Sequence, residues 1–236
     1  MKEKPELLLL CGGLGSRLMG TEPCPKPLVK VSQDISLLTL IVRAYSALEI
    51  FDSYKVLICG QLEYFLDWMH KEMIGIPLEI VNETTRSGRT GAILNYLQLR
   101  KNRSSSSVPF FIANGDTYIE NLSSSRISAA YDCVINKKLP YVFVVSPDFS
   151  RNDARELHVH ARTGNHELYI TSCINTGFAC LHPEWVNTFI PSGDDYLLDI
   201  DSYLFDNHEP SYVFLDGNIH DIGTPERLRL FRSLMS

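Results

Sequence analysis

Four short stretches of this chain carry residues whose chemistry suits anions. In Gly12-Gly13-Leu14-Gly15-Ser16-Arg17-Leu18, three glycines precede an arginine. Glycines let a backbone approach a ligand closely, successive N–H groups cradle phosphate, and the Arg17 guanidinium adds a bidentate cation. The segment lacks the G-K-[ST] ending of a P-loop and does not fit G-x-G-x-x-G. Taken alone it is equally a turn that reverses the chain. Pro25-Lys26-Pro27-Leu28 fixes the backbone on both sides of one lysine, so the Lys26 ammonium is aimed rather than free. By itself this is also a rigid surface loop.

Ile112-Ala113-Asn114-Gly115-Asp116 puts a carboxylate just past an apolar run. That is where open α/β sheets bind ligands, and aspartate there suits Mg²⁺, which takes oxygen ligands together with substrate phosphates. An Asx turn is the plainer reading. His220-Asp221-Ile222-Gly223-Thr224-Pro225-Glu226 offers a second such aspartate, in what is also a helix-entry turn. Asp116 and Asp221 together could share one metal ion.

Alternating elements must position these residues. Leu7–Cys11, Tyr54–Cys59, Leu78–Val81 and Val108–Ala113 read as buried strands, short apolar runs bounded by turn residues. Leu37–Leu48, Tyr64–Met73 and Gly91–Leu99 have helical spacing. Strand and helix in alternation with short connections predict an α/β domain with a mainly parallel sheet. The rhythm then changes. Tyr141–Val145 is a strand, Glu156–Arg162 and His166–Thr171 form a hairpin through Thr163-Gly164-Asn165, and Asn175–Leu181 is a further strand. Val213–Leu215 and His220–Ile222 are short extended pieces, and a helix over Pro225–Leu234 starts with proline in its first turn. The second half reads as an antiparallel extension of the same sheet. No domain boundary shows, so residues 1–236 are expected to form one domain.

Composition sets the outer limits. The chain has 236 residues, 44% hydrophobic and 21% charged, which excludes a largely disordered or collagen-like chain. With 22 basic and 28 acidic residues the net charge is −6, without the basic excess of a nucleic-acid binder. Phosphate ligands then require cations concentrated at chosen points. The six cysteines form no C-x-x-C, and the run LLLLC is too short for a signal-peptide core or a membrane span. A reduced, cytoplasmic protein without membrane attachment is expected.

The order of GGLGSRL, PKPLV, NGD, Ile174–Gly177 (INTG) and DIGTPE resembles the sugar-1-phosphate nucleotidyltransferases, over about Leu7 to Arg232. The NGDTY segment and the D-I-G-x-P-E near residue 221 are most similar to the small heptose-1-phosphate guanylyltransferases. The resemblance implies a Rossmann-like mixed, mainly parallel sheet flanked by helices, with an antiparallel acceptor-binding extension: about 1–135 would bind nucleotide, and about 136–236, with the C-terminal helix, would bind the acceptor. It also implies Mg²⁺-dependent transfer of a nucleoside monophosphate, from GTP by preference, to a sugar 1-phosphate. The products would be an NDP-sugar for surface glycan synthesis and pyrophosphate.

By position, Gly12, Gly13, Gly15, Ser16 and Arg17 would wrap the triphosphate, and Lys26 would neutralise phosphate charge during transfer. Asp116 and Asp221 would hold the metal, Asn175 and Gly177 would line the acceptor, and Glu83, Gly88 and Gly91 would lie near the base. A carboxylate accepts from guanine's ring N–H and amino group, which suits Glu83 to that base. The partners implied are a nucleoside triphosphate and a phosphorylated small molecule, and a homo-oligomer is compatible with them.

Two departures stand out. The stretch His166–Gly177 lacks the Glu-Lys pair that such enzymes place before N-x-G, so Arg155, His158, His160 or Arg162 would have to supply charge to the acceptor. Ser87–Ile93 carries Arg89 where small residues are usual, facing either phosphate or solvent. A non-sugar phosphorylated acceptor, a catalytically silent nucleotide-binding relative and a nucleotide-dependent oxidoreductase are the alternatives. Retention of Arg17, Lys26, Asp116 and Asp221 argues against the second, and the missing G-x-G-x-x-G argues against the third.

Overall fold

The computed structural model describes residues 3–13, 18, 22, 24–73, 75–85, 88–101, 107–137, 141–145, 156–163, 166–187 and 211–235. Strands β1 (Glu6–Leu10), β2 (Ser53–Cys59), β3 (Leu78–Glu83) and β4 (Phe110–Asn114) form the first half of a sheet, in the order β3-β2-β1-β4. All three pairings are parallel, with Leu10 opposite Leu57 and Asn114, and Cys59 opposite Glu83. Helices α1 (Leu37–Ser46), α2 (Leu62–Glu72) and α3 (Gly88–Lys101) connect them.

A parallel strand is buried on both faces, which is why β1 reads as unbroken leucine rather than alternating. Leu7 and Leu9 face one core with Val56, Ile58 and Phe111, covered by α1, by α2 through Phe65 and Trp68, and by α4 (Ser124–Lys137) through Ile127 and Tyr131. Leu8 points the other way, into a second core with Leu57, Ile112 and the Ile93, Tyr96 and Leu97 face of α3. Each fully buried leucine of β1 is worth roughly 1.5–3 kcal/mol of apolar burial.

The second half departs from the sequence expectation in two ways. His166–Thr171 and Asn175–Leu181 are one strand, β8 (His166–Leu181), not two. Ser172-Cys173-Ile174 holds no proline or glycine to interrupt it, and its two halves find different partners. The first pairs with β7 (Glu156–Thr163), and the second with β4 and with β6 (Tyr141–Val145), all antiparallel. Gly164 and Asn165 lie outside the described residues. Strand β9 (Ser211–Leu215) is parallel to β6, so the extension is mixed rather than wholly antiparallel. Two short strands, β5 (Thr117–Ile119) and β10 (Ile219–Asp221), form a separate antiparallel ribbon, and α5 (Pro183–Asn187) and α6 (Pro225–Leu234) complete the described elements.

One polar cluster ties α1 to α2. Ser36 caps α1, its hydroxyl accepting from Thr39 N at 3.3 Å. Glu72 at the end of α2 accepts from Ser36 N and from Ser36 Oγ at 3.0 Å and from Lys30 at 2.7 Å. Burial alone would raise the Glu72 carboxyl, but the hydrogen bonds from Lys30, Thr39 and Ser36 outweigh it and hold the group below its ordinary value. A depressed folded value stabilises the protein above the unfolded value, and that contribution fades as pH falls through the folded one. Glu72→Gln is therefore expected to cost about 1–3 kcal/mol at pH 7. Its melting temperature should approach that of the wild type as pH drops below about 4.3. A pH series of thermal melts reads this directly, and a gap that stays constant with pH would contradict it.

Candidate active site

The C-terminal ends of β1 to β4 open onto a cleft of about 410 Å³. Its floor follows from local geometry. After β1 the chain still pairs, Cys11 N donating to Leu57 O at 2.8 Å, and then turns away through Gly12 and Gly13. A Cβ on Gly12 would sit 3.5 Å from Cys59, in ordinary contact, whereas Gly13 is exposed with open space around it. Leu14, Gly15, Ser16 and Arg17 lie outside the described residues.

At the neighbouring strand end, Gly115 N donates to Leu10 O at 3.0 Å. A side chain at Gly115 would strike Cys11 Sγ, so the turn after β4 must be glycine, and it delivers Asp116 beside β1. The Cys11 thiol is raised well above its ordinary value, by burial first and by the Asp116 charge second, and is therefore a neutral part of the cleft floor. Lys26 comes from the other side. Pro25 and Pro27 bracket it in a 3₁₀ turn closed by Leu28 N donating to Pro25 O at 2.8 Å, and Pro27 and Leu28 are buried.

Lys26 Nζ lies 2.5 Å from Asp116 Oδ2 and 3.8 Å from Asp221 Oδ1, with only 11% of the Lys26 side chain exposed. Asp221 is brought there by the β5–β10 ribbon, in which it pairs with Thr117, and by Ile222 N donating to Asp116 O at 3.1 Å. Arg227 Nη1 donates to Asp221 Oδ2 at 2.6 Å. Sequence reading missed Arg227. It sits in the first turn of α6, after the Thr224 cap whose hydroxyl accepts from Arg227 N at 3.4 Å, and its partner six residues back was already a candidate. Among the described residues these contacts join two cations, Lys26 and Arg227, to two carboxylates, Asp116 and Asp221.

The candidate acceptor residues reach the same place through Asn114. Gly177 has φ +70°, and a Cβ there would collide with the Asn114 amide, a lining group of the cleft. Asn175 Oδ1 accepts from Gly177 N at 2.8 Å and fixes that backbone. At the opposite end, Glu83 closes β3 and accepts from Asn95 Nδ2 at 2.8 Å. Gly88, at φ +68°, begins α3, and Arg89 follows it into the cleft lining. Gly91 is buried in the first turn of α3 and does not line the cleft. His158, His160 and Arg162 lie on β7, and Arg155 is outside the described residues.

Among the described residues no group of three or more His, Cys, Asp or Glu gathers as a metal-ligand set. Two carboxylates that converge on one ammonium are nonetheless hard oxygen donors close enough to share a cation, and Mg²⁺ commonly takes one or two carboxylates plus substrate phosphates. The donor set fits that ion.

No protein-family model matches the sequence. The chain is 26% identical over 136 residues to the D-glycero-alpha-D-manno-heptose 1-phosphate guanylyltransferase of Campylobacter jejuni, covering 57% of this chain and 58% of that protein's length. Its structure superposes on HddC from Yersinia pseudotuberculosis complexed with GMP-PN with a TM-score of 0.71 and 20% identity, over 98% of this chain and 100% of the other. The chain has the fold of HddC. UTP-bound UGPase from Acinetobacter baumannii shares this fold at a TM-score of 0.71 and 12% identity, over 99% of this chain and 93% of that one. No helix among the described residues is long and apolar enough to cross a membrane.

Proposed function

We propose that this chain transfers a nucleoside monophosphate from a nucleoside triphosphate, GTP by preference, to a sugar 1-phosphate, releasing pyrophosphate. The observation that carries the reading is the convergence of Lys26 and Asp116, which line the strand-end cleft, with Asp221. β3 and β4 are three strand spacings apart, about 14 Å. The cleft therefore takes a nucleoside with its base toward Glu83 and its phosphates toward Lys26. The likeness to HddC in complex with GMP-PN supports a guanine nucleotide in this position.

The acceptor's phosphate oxygen attacks the α-phosphorus in line. One P–O bond forms, the bond from the α-phosphorus to the bridging oxygen breaks, and pyrophosphate departs with that electron pair. The nucleophile is already anionic, so no proton need be removed and alignment with charge neutralisation dominates the barrier. Lys26 supplies a desolvated cation at the phosphates, and Arg17, by its place in the glycine turn, supplies another. Gly12 and Gly13 let the triphosphate approach the backbone. Asp116 and Asp221 would hold Mg²⁺, which neutralises triphosphate oxygens when bound. Asn175 and Gly177, acting through Asn114, shape the acceptor side.

Thermal shift with GTP, CTP, UTP, ATP and dTTP in the presence of Mg²⁺ tests the first half. At a hundredfold excess over Kd, binding adds about 2.7 kcal/mol, a rise of roughly 5–10 °C for a chain of this size. GTP should give the largest rise. Pyrophosphate release with a panel of phosphorylated acceptors tests the second half. Binding without release for any acceptor would make the chain a silent relative.

A further inference from the structure

Arg227 takes no part in the proposed transfer, yet its guanidinium holds one of the two aspartates. Nη1 donates to Asp221 Oδ2 at 2.6 Å, and the oxygen that faces Lys26, at 3.8 Å, is the other one, Oδ1. Both side chains of this pair are partly buried. The helix that carries Arg227 is itself fixed. Leu228 and Phe231 bury α6 in the core, and Arg232 donates to Lys30 O at 2.8 Å and to Glu22 at 3.0 Å, on either side of Lys26 in the chain. Arg227 is thus set relative to the segment that bears Lys26, and one oxygen of Asp221 is committed to it.

We propose that Arg227 is a positioning residue that sets cation selectivity: by occupying Asp221 Oδ2 it makes Asp221 a one-oxygen donor, which suits Mg²⁺ and disfavours Ca²⁺. The inference rests on the reading above that Asp116 and Asp221 hold a divalent cation. Mg²⁺ demands near-octahedral geometry and commonly takes one or two carboxylates, whereas Ca²⁺ takes about 6–8 oxygens and often chelates both oxygens of one carboxylate. Chelation by Asp221 requires Oδ2 to leave Arg227, and a partly buried guanidinium then loses a charge-assisted hydrogen bond. That cost falls on Ca²⁺ and spares Mg²⁺, which is satisfied by a single oxygen.

Displacement of bound Mn²⁺ from the nucleotide-free full chain, followed by paramagnetic resonance, gives the affinities for Mg²⁺ and Ca²⁺. Groups that orient a metal ligand are commonly worth about 10–100-fold in metal affinity, so Arg227→Met should raise the Ca²⁺-to-Mg²⁺ affinity ratio by about tenfold. Both ions are divalent, so loss of the guanidinium charge acts alike on the two and cancels in the ratio. Arg227→Lys should keep the wild-type ratio, because an ammonium can still donate to Oδ2. In an Asp221→Asn background Arg227→Met should leave the ratio unchanged, since the arginine acts through that carboxylate. Ligand-free melting shows which variants are folded, and if Arg227→Met is not, Arg227→Ala, which favours the helix, replaces it. A ratio that stays at the wild-type value while both affinities move together would overturn the proposal and leave Arg227 a source of charge alone. So would the same change of ratio in the Asp221→Asn background. Mn²⁺ binding that Asp221→Asn does not weaken would instead overturn the cation reading itself.

Discussion

Asp116→Asn is expected to lower the rate of pyrophosphate release by at least about 10²-fold while the protein stays folded. The substitution keeps the side chain's size and one oxygen and removes its charge. That charge has two duties in the structure. It faces Lys26 at 2.5 Å, and with Asp221 it is one of two carboxylates among the described residues that meet Lys26. Without it the cluster of Lys26, Arg227 and Asp221 becomes net positive, which repels a divalent cation before any nucleotide arrives. The fold should tolerate the change. Asp116 is 32% exposed, and the turn that carries it is fixed by Gly115 N on Leu10 O and by Ile222 N on Asp116 O, both backbone contacts. A coupled pyrophosphate assay beside a thermal melt distinguishes the outcomes. Activity within a fewfold of wild type would remove Asp116 from the chemistry, whereas a collapsed melt would call for Asp116→Glu as the second variant.

Lys26→Met should move two measurements in opposite directions. Turnover should fall by about 10²–10³-fold, because a nearly dry cation aimed at developing charge is lost. Cation binding without nucleotide should tighten, because the ammonium is itself held by Asp116 and Asp221, the two carboxylates that would hold a divalent ion. A unit charge at about 4 Å is worth about 1–4 kcal/mol for effective dielectrics between 80 and 20, so Mn²⁺ should bind at least about fivefold more tightly. Mn²⁺ paramagnetic resonance reads the binding and the pyrophosphate assay reads the rate. If both fell together, Lys26 would be holding the carboxylates in place rather than competing with a cation for them.

Much of this site was legible in the sequence, because its parts are strand ends. β1, β2 and β3 stand within two residues of where their apolar runs predict, and the turn after β4 holds, in Gly115, the glycine that its close approach to Cys11 requires. What stayed hidden was of two kinds. Helix α4 begins in a serine cluster and has no counterpart in the sequence reading, although Ile127, Ala130, Tyr131 and Val134 carry helical spacing. The rest depends on partners distant in sequence. Nothing local makes β9 run parallel to β6 or divides β8 between β7 and β4, and nothing around Arg227 announces that its guanidinium meets Asp221.

The ribbon of β5 and β10 has a consequence for the order of assembly. The cleft's sheet, β3-β2-β1-β4, is complete once residue 114 has been made. Asp221 and Arg227 come more than a hundred residues later, and α6 is then pinned back by Arg232 to Lys30 O at 2.8 Å and to Glu22 at 3.0 Å, a contact spanning 210 residues. Contacts of such separation carry the largest loop-closure cost and form late. During synthesis the nascent chain can thus present a formed sheet whose Lys26 and Asp116 are paired with each other and whose second aspartate does not yet exist. The pair of carboxylates that the proposed reaction needs is therefore complete only when the ribbon has paired.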